Sequence, residues 1–218
     1  SNAKKLDSIT MEEMLELAGQ GAKVMQTRAV EFANKYNVPV RVLSSFNDGN
    51  GTLITLKDES MENASVSGIA FQKDQIKFTL HGVGDVPGTA FRILGPISDA
   101  EVEVDVIVQN VSVDGKTDFT FTVSSEDEDT VKKVLENVKN DISFKELIVD
   151  SNIAKVSLVG VGMRSQAGVA SKAFKALSEN DVNIQIICTS EIKITMVVQK
   201  DLVDKAVSVL HKEFELEK

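Results

Sequence analysis

The sequence predicts an α+β chain. Two tandem copies of a β-α-β-β-α-β unit, the ferredoxin-like arrangement, would place antiparallel sheets under helices on one face, behind a helical tail. Three observations carry this reading. KFTLHGVG at 77–84 returns as KVSLVGVG at 155–162, an offset of 78. Each run then turns through glycine into a helical pattern, GDVPGTAFRIL in the first copy and GMRSQAGVASKAF in the second. Two alternating strands and another helix follow in both.

The elements follow in order. Ser1-Asn2-Ala3 reads as a tag scar, so the chain is expected to be a piece of a longer protein. Residues 9–36 read as helix, opened by a Thr10-x-x-Glu13 capping box and interrupted near Gly19 and Gly21. VPVRVLSSF (38–46) and TLITL (52–56) alternate as strands around the turn cluster Asn47–Gly51, and residues 57–62 are polar enough for a boundary linker. In the first copy, 102–110 and 118–123 are strands, a helix surrounds Val134-Leu135, and ELIVD (146–150) supplies a fourth strand. In the second, the matching strands are 182–190 and 193–198, with a helix around Val209-Leu210. FELEK at the end is a poor strand, so SVSGIAF (65–71) is expected to cross over and complete the second sheet. The expected division is a tail over 4–61, a first copy over 62–150 and a second over 151–218.

Composition excludes several function classes. The formal charge is −9, with one Tyr and no Trp, which argues against nucleic-acid binding by phosphate contacts or base stacking. No apolar run approaches the length of a membrane span. A single cysteine, Cys188, excludes an internal disulfide, fits a reducing cytoplasm, and on its strand is expected to be a small buried hydrophobe. His81 and His211 form no ligand cluster with it, and the acidic run 126–129 fits a helix N-terminus. Neither a P-loop nor a catalytic triad pattern is present, so no catalytic residue is expected.

Chemistry is concentrated at the two turns. A strand that opens into a helix leaves backbone N–H groups pointing outward, a ready site for a carboxylate. Gly88 and Gly168 would let a ligand approach closely, and Asp85 would hold an α-ammonium group. Together these describe recognition of a free amino acid. The plainer reading, in which Asp85 caps the helix and Pro87-Gly88 shapes the turn, stands beside it.

These residues resemble a known family. G-V-x-D-x-P-G-x-A followed by the VQNVS strand end (108–112) resembles tandem ACT domains. VSLVGVGMRS (156–165) and CTSEIKI (188–194) resemble the C-terminal regulatory region of monofunctional aspartate kinase, and the earlier EEMLELAGQGAKVMQTRAVEFANKYNVPVRVLSSF resembles the last helices and strand of that enzyme's amino-acid-kinase domain. Gln26-Thr27 and Gln166-Ala167 depart from the family's usual His-Pro pairs. The resemblance implies a homodimer joined through its ACT sheets, with effectors bound where a turn of one copy faces a strand of another chain. One site would use Asp85, Gly88, Ala90 and Gln109 facing Asn183 and Ile184, suited to threonine. The other would use Met163, Gly168, Ala170 and Ser190 facing Val104 and Asp105. Asp105 would accept the side-chain ammonium of lysine there, where the repeat has Gln185. The parent enzyme would use ATP and Mg²⁺ to phosphorylate aspartate under feedback inhibition, while this region holds neither and is inactive alone. A stand-alone ACT sensor or adaptor of another metabolic enzyme is the alternative.

Overall fold

In a computed structural model the described residues are 3–56, 65–110, 114–139 and 141–217. The expected linker at 57–62 and the end of VQNVS at 111–112 lie outside the described residues. Two compact units emerge. An outer unit comprises Ser1–Gln72 with Ala154–Lys218, and a central unit comprises Lys73–Ile153.

The tail belongs to the outer unit. Strand β1 (Ser8–Thr10) leads into helix α1 (Met11–Gly19), and helix α2 (Thr27–Lys35) precedes β2 (Val40–Val42) and β3 (Thr52–Thr55). The capping box forms as expected: Glu13 N donates to Thr10 Oγ1 at 3.2 Å, and Thr10 N donates to Glu13 Oε2 at 3.2 Å. β3 lies between β1, which it pairs in parallel, and antiparallel β2. Ile9, Met14, Leu17, Val30 and Ile54 bury their side chains together with Ala70 and Val159, tying the tail to strands of the repeat within this unit.

The repeat begins with β4 (Gly68–Gly84), α3 (Thr89–Asp99), β5 (Val104–Gln109), β6 (Lys116–Ser124) and α4 (Glu128–Val138). It continues through β7 (Glu146–Val159), α5 (Val169–Ser178), β8 (Ile186–Thr189), β9 (Lys193–Gln199) and α6 (Val203–Glu213). The central unit orders its strands β5-β6-β4-β7, and the outer unit orders its own β4-β7-β9-β8. The unit boundaries at 72/73 and 153/154 therefore fall inside β4 and β7. In the outer unit, Ser67 N donates to Val159 O at 2.8 Å, and Val66 joins the core of the second copy. The central unit is built on aromatic packing: Phe78 and Phe121 are stacked with centroids 5.5 Å apart, beside Phe119, Ile93, Ile97, Val131 and Leu135. Val156, Leu158, Leu177, Met196, Val198 and Leu210 play the same part in the outer unit.

Three expectations are corrected. The strands read separately at 65–71 and 77–84 are one strand, β4, and those at 146–150 and 155–162 are one strand, β7, ending at Val159. The strand expected over 182–190 is confined to Ile186–Thr189, because Val182 N is used to close the preceding helix on Leu177 O at 3.0 Å. The first copy ends its helix alike: Val102 N donates to Ile97 O at 3.3 Å. Glu101 (φ 59°) and Asp181 (φ 54°) hold the same left-handed corner. Cys188 is exposed rather than buried, since β8 is the last strand of its sheet and its residues face outward.

Candidate functional site

Each copy ends its first strand in a glycine turn. In the central unit β4 stops at Gly84, and Asp85 N donates to Gly115 O at 2.9 Å. Thr89 folds the corner back: its Oγ1 donates to Gly84 O at 2.8 Å and its N to Val86 O at 3.2 Å. Gly88 takes the N-cap of α3 with φ 93° and ψ −6°. A β-carbon there would meet no atom within 4 Å, so its backbone angle, not crowding, requires glycine. The helix has no side-chain cap, which leaves the amides of Ala90 and Phe91 in the first turn without one.

Asp85 does not cap α3. Its Oδ1 accepts a hydrogen bond from Gln109 Nε2 at 3.3 Å, joining the turn to the end of β5. The structure thus brings Asp85, Gly88, Ala90 and Gln109 together at one end of the central unit. Of the strand residues expected at the other site, Val104 is half-buried at the start of β5 and Asp105 is exposed beside it.

In the outer unit the corresponding turn is longer. Gly160 N donates to Ile192 O at 3.0 Å, and a single 3₁₀ turn over Val161–Arg164 follows. Gly168 then takes the N-cap of α5 with φ 93° and ψ −3°, again without a side-chain cap and with open space where a β-carbon would stand. Met163 occupies the position matching Asp85, so this turn carries no acidic counterpart to it. Arg164 links the turn to the opposite strand end through Glu191, 3.2 Å away, and Ser190 N donates to Lys193 O at 2.8 Å. Met163, Gly168, Ala170 and Ser190 thus share this unit. Asn183 and Ile184 also lie in it, lining a groove of about 470 Å³ with Phe174, Ser178, Asp181 and Val182.

One polar residue of this unit was not anticipated as more than a helix cap. Glu13 is fully buried, and its second carboxylate oxygen, Oε1, accepts from Ser67 Oγ at 2.6 Å and Val161 N at 2.9 Å. The T-x-x-E pattern announces the cap but not these distant partners. His81 has a local part: its Nδ1 lies 2.6 Å from Asp118 Oδ1, which also accepts from Gly82 N at 3.0 Å. Among the described residues no group of three or more His, Cys, Asp or Glu is placed to hold a metal ion. No helix among them is long and apolar enough to cross a membrane.

Residues 80–142 and 156–214 each match the ACT domain family. Fold and paired glycine turns together define a tandem ACT-domain regulatory protein. An aspartate kinase of Pseudomonas fluorescens (strain SBW25) is 57% identical over 218 residues, covering 100% of this chain and 53% of that protein. The regulatory subunit of aspartate kinase from Thermus thermophilus, solved ligand-free, is 32% identical with a TM-score of 0.65, covering 69% of this chain and 99% of that one. Escherichia coli aspartokinase III, solved with lysine and aspartate in its T-state, is 25% identical with a TM-score of 0.74, covering 97% of this chain and 46% of that one. The chain belongs to the aspartate kinase family, as its regulatory region, and spans about half the length of the curated relatives it matches.

Proposed function

We propose that this region senses lysine, threonine or both at its two glycine turns and feeds their level back onto aspartate phosphorylation. The observation that carries the reading is the pair of uncapped helix N-termini, with matching φ at Gly88 and Gly168, repeated at the same point of each copy. Exposed amides at such an end favour a carboxylate. Asp85 adds an acceptor for an α-ammonium group in the first turn, where threonine is assigned with Asn183 and Ile184 of a partner copy completing the site. Lysine is assigned to the second turn, with Val104 and Asp105 of a partner copy; Asp105 receives the side-chain ammonium as a charge-assisted contact.

A homodimer is part of the proposal. β5 and β8 are the terminal strands of their sheets, and Asp105, Ile107, Gln109 and Ile187 on them are exposed. Terminal strands of a sheet favour pairing with a second chain. The parent enzyme in this reading transfers phosphate from ATP to the β-carboxyl of aspartate with Mg²⁺, and this chain's residues supply no step of that transfer. Effector binding shifts the enzyme only by its differential affinity for the two arrangements of the chains.

Calorimetric titration tests the assignment. Lysine and threonine should each bind, with Asp105→Ala weakening lysine and Asp85→Asn weakening threonine. Unchanged lysine binding in Asp105→Ala overturns the lysine site. No heat and no thermal stabilisation with either amino acid overturns the sensing role.

A further inference from the structure

Helix α1 is tied to the second turn by a buried carboxyl group. Glu13 is 0% exposed, and among the described residues the donors to its carboxylate are all neutral. Oε2 accepts from Thr10 N at 3.2 Å and Thr10 Oγ1 at 2.8 Å, at the start of α1. Oε1 accepts from Ser67 Oγ at 2.6 Å, just before β4, and from Val161 N at 2.9 Å, the first residue of the 3₁₀ turn. Chain ends this close leave no room for a side chain at Gly160, where a β-carbon would stand 2.5 Å from Ser65 O.

The rest of α1 faces the same stretch of chain. Glu12 lies 3.1 Å from Arg164, Glu16 lies 2.8 Å from Lys193, and Gln20 Oε1 accepts from Ser157 Oγ at 3.0 Å. The Glu12–Arg164 pair is about half exposed, so it is screened and worth little. Glu13 differs because separation would leave a buried carboxylate oxygen and the Val161 N–H unmatched, each an uncompensated group in a medium of low dielectric.

We infer that Glu13 is a positioning residue that makes α1 and the turn over residues 161–164 one mechanical element, so that a change at the turn reaches the tail through this carboxylate. The link to regulation rests on the reading of the second turn as an effector site. The coupling itself does not. Among uncharged replacements glutamine is instructive: it keeps the shape, but it sets an N–H against the donors on one side or the other.

Amide hydrogen exchange on this chain decides the matter. Met163→Ala loosens the turn without touching Glu13, and it should speed exchange across α1 about tenfold, the scale of one buried hydrogen bond opened. In a Glu13→Gln background the same change should leave α1 unaltered. If α1 is indifferent to Met163→Ala in the parent chain, or responds equally in both backgrounds, the inference is overturned. Should circular dichroism show Glu13→Gln unfolded, Glu13→Asp replaces it, keeping a carboxylate but shortening its reach to Val161 N. A second arm adds saturating lysine or threonine. Binding that alters α1 exchange in the parent but not in Glu13→Gln supports the joint, and binding that alters both overturns it. Absence of binding defeats the sensing role and leaves the joint to be decided by the ligand-free arm.

Discussion

The two glycine turns share a backbone and differ in their chemistry. Gly88 and Gly168 hold φ 93° at the mouths of α3 and α5, and neither helix has a side-chain cap. Around that common frame the first turn carries a carboxylate held by Gln109, whereas the second carries Met163 and an arginine spanning Glu12 and Glu191. Duplication preserved the geometry that presents amides and let the surrounding side chains diverge. In the proposed reading, the shared part receives an anionic group and the divergent part tells two ligands apart.

The difference between copies begins in their cores, and the largest effects are expected there. Phe121→Ala removes half of a stacked aromatic pair and should destabilise the central unit by about 3–5 kcal/mol, against about 2–5 kcal/mol in the outer unit for Met196→Ala at the matching position. Unfolding followed segment by segment by hydrogen exchange separates the two. Equal losses would show that the aromatic stack adds nothing beyond volume. Next in size is Asp85→Asn, which should weaken threonine binding by about tenfold or more, the scale of a hydrogen bond to a charged group, while lysine binding is unchanged. If both ligands weaken alike in calorimetry, the turns are not chemically distinct.

Alanine at Gly88 or at Gly168 should cost about 1–2 kcal/mol of stability, and nearly the same at both, because only the left-handed backbone is strained and the space is open. Chemical denaturation that finds one substitution neutral would break the structural equivalence. The smallest effect concerns α4. Lys132 has its pKa raised from 10.5, chiefly by its hydrogen bond to Glu128, with burial opposing. A raised folded value means that the pair's stabilisation is full below the unfolded pKa and is lost as pH climbs through the folded one. The matching residues on α6 are Val203 and Val207, so an alkaline step of this origin should appear in the central unit alone and vanish in Glu128→Gln.

The repeat was legible because strands, turns and helix mouths are written in local patterns: Gly84–Gly88 and Gly160–Gly168 punctuate runs of opposite periodicity. The Thr10–Glu13 cap was legible for the same reason. Strand length was not. Gln72-Lys73-Asp74-Gln75 and Asp150-Ser151-Asn152 look like breaks, yet β4 and β7 run through them, since pairing with a neighbouring strand holds polar residues in extended form. Of the candidate site, the Asp85–Gln109 contact joins residues that the family resemblance had grouped. The distant partners of Glu13 could not be read, because nothing local states that Ser67 and Val161 arrive at the same point.

The interleaving of the two units also sets an order of assembly. The central unit is one contiguous stretch, so it can fold as soon as it leaves the ribosome, whereas the outer unit must wait for residues near its far terminus. Once formed, the central unit brings its own ends together, as the 3.1 Å Lys77–Asp150 pair shows. A gap of about 80 residues is thereby reduced to a short tether before the outer unit searches for its partners. The long-range contacts of the tail then form at the entropic cost of nearby ones, and translation order becomes a guide to the fold.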